Sequence, residues 1–113
     1  MKLPHVSRAV VSEEKITRYL LNRAHPVGRS KAEFFLKHGF SPETWNQLAA
    51  AFKRHAEENE AALSETTTYG TRFVVDGLLP TPSGSHLRVR CVWFINSGED
   101  FPRFVTAHPL PKK

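Results

Sequence analysis

His25-Pro26-Val27-Gly28-Arg29-Ser30-Lys31 is the stretch of this 113-residue chain whose residue types most resemble working chemistry. Arg23, Arg29 and Lys31 supply cations around His25, and no acid follows until Glu33. A helix expected to begin at Ser30 would add its exposed amides and the positive end of its dipole, so Arg23, Arg29, Ser30 and Lys31 form a candidate anion site that suits a phosphate. Weighed against this, Pro26 and Gly28 can simply shape a tight turn while His25 bonds the backbone.

A second cluster falls near the end of the chain, where Arg88 and Arg90 share one strand face and Arg103, Thr106 and His108 lie on the strand expected beside it. Clustered arginines hold phosphoryl oxygens in two-point contacts, and a histidine can move the 2′-hydroxyl proton of RNA. Strict alternation places Thr106 and His108 on the face of Phe104, and Arg103 with Val105 and Ala107, so one of these sets is expected to point inward. Exposed strand arginines also serve solubility and edge protection. If the two clusters meet, His25, Lys31, Arg90, Thr106 and His108 are the candidate catalytic residues, with Arg23, Arg29, Ser30, Arg88 and Arg103 as anion-binding support.

Other chemistries find little footing. The six histidines show no pair at helical ligand spacing and no supporting cysteine or aspartate, so no metal site is expected. Phosphate-binding loops, dinucleotide fingerprints and nucleophile elbows are missing, so no cofactor is expected either. His38 and His55 read as helix-surface residues.

Positioning these groups requires helices first and strands afterwards. Ser12 can cap a first helix running to about Leu21, with Glu13 and Glu14 at its positive end, Val11 stapled against Ile16, and Ile16, Tyr19 and Leu20 on a core face. Ser30-Lys31-Ala32-Glu33 has the capping-box form, and Gly39 suits the end of a second helix. Ser41 and Pro42 start a third, with Phe40 and Trp45 as a staple and Trp45, Leu48, Ala49, Phe52 and Ala56 on one face as far as about Glu58. Ser64 to Thr68 reads as a loop. From Tyr69 the period becomes two: one strand carries Phe73, Val75 and Leu79 inward, and a turn follows at Pro80–Gly84. The next strand, Ser85 to Asn96, carries Leu87, Val89, Cys91, Trp93 and Ile95 on an unbroken apolar face. A second turn at Asn96–Asp100 leads to a last strand, Phe101 to His108. Leu3 to Val6 offers a further edge strand, and residues 109–113 a loose tail. The expected class is α+β, about three N-terminal helices packed on one face of a C-terminal antiparallel sheet of three to four strands, within a single domain of a helical half (1–60) and a β-meander (69–108).

Composition fits such a domain. Hydrophobic residues make up 40% of the chain, enough for one core, and no apolar run approaches the ~18 residues that span a bilayer. Neither a membrane partner nor an export signal is expected, and the lone Cys91, within an apolar strand, suits a reducing cytoplasm. Net charge is +5, with the excess in residues 1–54 and 71–113, which favours an anionic partner such as RNA or an acidic protein.

Together, His25-Pro26-x-Gly28-Arg29-x-Lys31-Ala32-x-x-Phe35, Tyr69-Gly70-x-Arg72-Phe73 and Trp93 followed by Gly98-Glu99-Asp100-Phe101-Pro102-Arg103 and Thr106 resemble a bacterial family of single-domain proteins called a domain of unknown function. The resemblance spans nearly the whole chain and implies no activity. The order of elements, with Thr106-Ala107 near the end of the last strand, also resembles toxin nucleases grouped around barnase, EndoU and RelE. In those proteins N-terminal helices precede an antiparallel sheet, and His, Lys, Arg or Thr side chains cleave RNA without metal. That analogy rests on layout. Two functions therefore stand side by side: a metal-independent ribonuclease of a toxin or mobile-element system, with a neutralising protein partner, and a non-catalytic module whose basic face engages nucleic acid or an acidic protein.

Overall fold

Ser12 caps the first helix as its position predicts: its hydroxyl accepts the Lys15 amide at 3.2 Å in the computed structural model of the chain, which describes residues 1–26 and 29–111. Helix α1 (Glu13–Lys15) then widens into a π turn, Ile16–Leu20, closed by the Leu21 amide on the Ile16 carbonyl at 2.8 Å. Helix α2 (Arg29–Lys37) begins one residue before Ser30, which therefore lies inside the first turn instead of at the cap; Gly28, assigned above to a tight turn, lies outside the described residues. Gly39 ends this segment at φ +100°, a backbone region glycine enters without strain. Before α3 (Trp45–Glu58) comes a short 3-10 turn, Pro42–Thr44, and the Ser41 hydroxyl meets the Thr44 hydroxyl at 2.9 Å instead of capping an amide.

Strands β1 (Ala61–Thr67), β2 (Gly70–Pro80), β3 (His86–Asn96) and β4 (Arg103–Pro109) form one antiparallel sheet in sequence order. The fourth strand is 61–67, which overlaps the segment expected to be a loop. Leu3 to Val6 supplies none: Leu3 is buried, and Val6–Arg8 is a 3-10 turn entered through His5 at φ 54°. Only Ala61 of β1 is buried, so no apolar alternation marked this edge strand in the sequence. On the opposite edge, Val10 forms a parallel bridge to Arg103, its amide donating to Pro102 and its carbonyl accepting from Phe104, both at 2.9 Å. This bridge brings the chain into α1 alongside β4. The tail stays against the sheet through Pro111, with the Leu110 amide on the Arg88 carbonyl at 2.9 Å; Lys112 and Lys113 lie outside the described residues.

The helices cover one sheet face. Leu87, Val89, Cys91 and Trp93 are buried on it, with Ile95 packed at the margin. An aromatic relay joins the layers: Phe35 meets Phe52 edge-on at 5.9 Å, Phe52 stacks on Phe104 at 4.5 Å, and Trp93 meets Phe104 edge-on at 5.5 Å. Among the described residues no helix is long and apolar enough to cross a membrane.

His55 is buried, against the surface position expected, because the α3 face that carries Phe52 and Ala56 also turns it onto the sheet. Its Nε2 lies 3.2 Å from the Gly77 carbonyl oxygen and 3.1 Å from that of Val89. Carbonyls only accept, so Nε2 bears the proton and buried Nδ1, which has no partner among the described residues, is the bare nitrogen. Burial pushes the imidazole pKa below its ordinary value, since a second proton would sit unbonded in the core. The unfolded chain therefore takes up this proton first as pH falls below ~6.5, and stability is lost from there down to the depressed folded value, at up to about 1.4 kcal/mol per pH unit. Urea unfolding between pH 7.5 and 5 should show this slope, and His55→Gln should flatten it; equal slopes would contradict the assignment.

Candidate functional site

Between β3 and β4 the register slips by one: Trp93 pairs with Phe104 but Val92 pairs with Thr106, leaving Val105 as an extra residue. This β-bulge overturns the strict alternation expected for the last strand. Phe104 and Ala107 face the core, whereas Thr106 and His108 face outward with Val92 and Arg90. At the bulge, the edge of β4 and the start of the helical region enclose an open groove of about 600 Å³, lined by Lys15, Arg18, Tyr19, His25, Val105 and Thr106 together with Ser12 and Glu14. The π turn opposite this edge buries Ile16 and Leu20 and leaves Tyr19 half-buried at the groove wall.

Lys31 lies behind this wall. One turn N-terminal to buried Phe35, it sends its ammonium to the Tyr19 hydroxyl and the Thr106 hydroxyl, each at 2.9 Å. An ammonium only donates, so both hydroxyl oxygens accept from it and each hydroxyl keeps a proton to offer elsewhere. The Lys31 hydrogen bond lowers the Tyr19 pKa from its ordinary value, opposed by burial and helped by Thr106. The His25 ring meets Tyr19 edge-on, centroids 5.0 Å apart. The result is two polarised O–H donors beside an imidazole, with Lys15 and Arg18 as cations and Glu14 as the acid on the rim. Such a groove can hold a phosphoryl group and move protons at its oxygens.

The two clusters read from the sequence thus meet in part. His25 and Thr106 line the groove, and Lys31 connects them through Tyr19. His108 stands across from Arg90 on the outer sheet face, its pKa lowered by burial and then by the positive charges of Lys31 and Arg90. Arg90 is held by both oxygens of Asp76 at 2.7 and 2.8 Å, which keeps the Asp76 carboxyl below its ordinary value, and it is not among the lining residues. Arg103 is gripped by Glu99 at 3.0 and 2.9 Å, Arg29 pairs with Glu33 at 3.5 Å, and Arg88 reaches the Pro111 carbonyl at 3.5 Å. Ser30 is exposed, and Arg23 lines a separate hollow beside Leu36 and Glu43. The sequence places Tyr19 on a core face and does not single out Lys15 and Arg18; the available signal is a hydroxyl within an apolar stripe, preceded by two cations three residues apart. Among the described residues no three His, Cys, Asp or Glu side chains gather as a metal site. Burial pushes the Cys91 thiol up, away from nucleophilic use.

Comparison with known proteins gives a fold and a family. A solved chain in a contact-dependent growth inhibition toxin–immunity protein complex from Klebsiella pneumoniae 342 superposes with a TM-score of 0.70 at 15% identity, covering 96% of this chain and 98% of that one. No curated protein matches the sequence. A family model described as a domain of unknown function, DUF6883, matches residues 2–111.

Proposed function

We propose that this chain, which belongs to the DUF6883 family, is the RNA-cleaving component of a toxin system. The observation that carries this is the Lys31 ammonium donating to two groove hydroxyls beside His25. The structural neighbour, a chain from a complex of a growth-inhibition toxin with its immunity protein, supports the toxin setting and a neutralising protein partner. Cleavage begins as His25 takes the proton of a 2′-hydroxyl and the 2′-oxygen attacks phosphorus. The P–O5′ bond breaks while Tyr19 gives its proton to the departing oxygen, leaving a 2′,3′-cyclic phosphate and a 5′-hydroxyl. Thr106, Lys15 and Arg18 face the charge that builds on the phosphoryl oxygens. Every proton has a side-chain source or acceptor, so the reaction is expected to be metal-independent.

Tyr19→Phe keeps the ring and removes only the hydroxyl, and should slow cleavage of single-stranded RNA about 100-fold, within the general acid–base range, with little loss of stability. The parent should keep its rate in excess chelator and release cyclic phosphate ends. If purified protein leaves single-stranded and transfer RNA intact with and without divalent ions, the ribonuclease fails and the binding module takes its place. Ease of expression gives a second check, since a toxin should need its neutralising partner and a binding module should not.

A further inference from the structure

The sheet face away from the helices carries three cross-strand rows. Arg72, Phe94 and Arg103 stand side by side on β2, β3 and β4; so do Val74, Val92 and Thr106; so do Asp76, Arg90 and His108. Residues directly opposite on neighbouring strands lie about 5 Å apart. A phenyl ring therefore stands between two guanidinium-bearing residues, next to the row that ends in a groove hydroxyl. Phe94 is held in place from below: a Cβ at Gly70 would lie 2.5 Å from its Cε2, so the ring rests on bare glycine backbone.

The cations of this face differ in how far they are neutralised. Asp76 engages Arg90 and Glu99 engages Arg103. Arg72 and Arg88 are exposed and make no ion pair among the described residues, although Glu65 stands opposite Arg72 in register. Arg88 lies six residues along β3 from Phe94, about 20 Å in an extended strand. The two guanidiniums without an ion pair thus lie on either side of the Val74–Val92–Thr106 row, whose last member lines the groove, with an aromatic platform beside one of them.

We infer that a single strand of RNA lies along the outer face of β3, a base stacked on Phe94 and backbone phosphates on Arg72 and Arg88, delivering the intervening phosphate to Thr106. The inference rests on the ribonuclease proposed above and adds its substrate form: an unpaired strand several nucleotides long. Stacking on an aromatic with flanking cations is how proteins hold single strands without regard to sequence. A duplex would keep its bases away from the ring.

The test is fluorescence anisotropy with the full chain and a labelled 2′-O-methyl oligoribonucleotide, which lacks the attacking hydroxyl and is bound without being cut. Phe94→Ala should weaken binding about tenfold or more, and Phe94→Tyr should restore it. Arg72→Ala and Arg88→Ala, both at exposed positions and therefore safe for folding, should each weaken binding and reduce the salt slope by about 0.7, the contribution of one single-strand phosphate contact. Parent-like affinity and salt slope in both arginine variants would overturn the inference, as would a parent that binds no oligonucleotide and leaves the face to an acidic protein. Failure of the groove chemistry reads out separately, as a parent that binds this probe but releases no cyclic phosphate from ordinary RNA.

Discussion

Lys31→Met should slow RNA cleavage by roughly two to three orders of magnitude, the scale lost when one preorganised transition-state donor is removed. Methionine keeps much of the side-chain length beside Phe35 and removes only the ammonium. In the proposed mechanism the lysine acts through its neighbours: it donates to the Tyr19 and Thr106 hydroxyls at 2.9 Å, orienting both, and by lowering the Tyr19 pKa it would make the phenol a better proton donor. A second readout isolates that role. Titration of Tyr19, followed by ultraviolet absorbance against a Tyr19→Phe reference, should move up toward the ordinary phenol range in Lys31→Met. A rate equal to the parent would remove Lys31 from the mechanism, and a lost rate with an unmoved Tyr19 titration would show that it acts in some other way. Stability should change little, since the site gives up two hydrogen bonds from a partly solvated ammonium while the hydroxyls remain open to the groove.

Trp93→Ala should cost about 3–5 kcal/mol of stability, the usual penalty for deleting a large core aromatic. Trp93 is 0% exposed and braces Phe104 edge-on, and Phe104 in turn stacks on Phe52 of α3, so its removal opens a void where the helical layer meets β3 and β4. Trp93→Phe should cost considerably less. The indole Nε1 has no hydrogen-bond partner among the described residues, so a phenyl ring forfeits volume but no polar contact there. Urea denaturation of the two variants checks this ordering, and equal losses would mean that the void is not the cause.

The central strands were legible because burial writes itself into alternation: Leu87, Val89, Cys91 and Trp93 share a face on which a polar residue would be left without partners. The Ser12 cap and the Gly39 stop were legible for similarly local reasons. Strand β1 was not, since six of its seven residues are exposed and its threonines suit a loop equally well. His55 was misplaced because a histidine on an apolar helix face does not announce which backbone carbonyls will receive it. In the candidate site, His25, Lys31 and Thr106 could be selected by type, but their meeting depends on two departures from regular geometry. The π turn sets Tyr19 at the groove wall, and the bulge at Val105 turns Thr106 outward. Sequence periodicity assumes 3.6 and 2 residues per repeat, and both departures break that count.

The bulge also separates what the fold requires from what the groove requires. Excising Val105 would leave Trp93 opposite Phe104, Val92 opposite Thr106 and Cys91 opposite Ala107, so every neighbour across the ladder keeps its present partner. The shortened strand would run straight, and the recess built on its irregular edge would flatten. Relatives of this chain that lack one residue at this point are therefore expected to keep the architecture while losing the pocket. A single-codon deletion would leave a homologue that folds like the parent but lacks the groove, and with it the cleavage proposed above, a form suited to persisting as a harmless copy beside an active one.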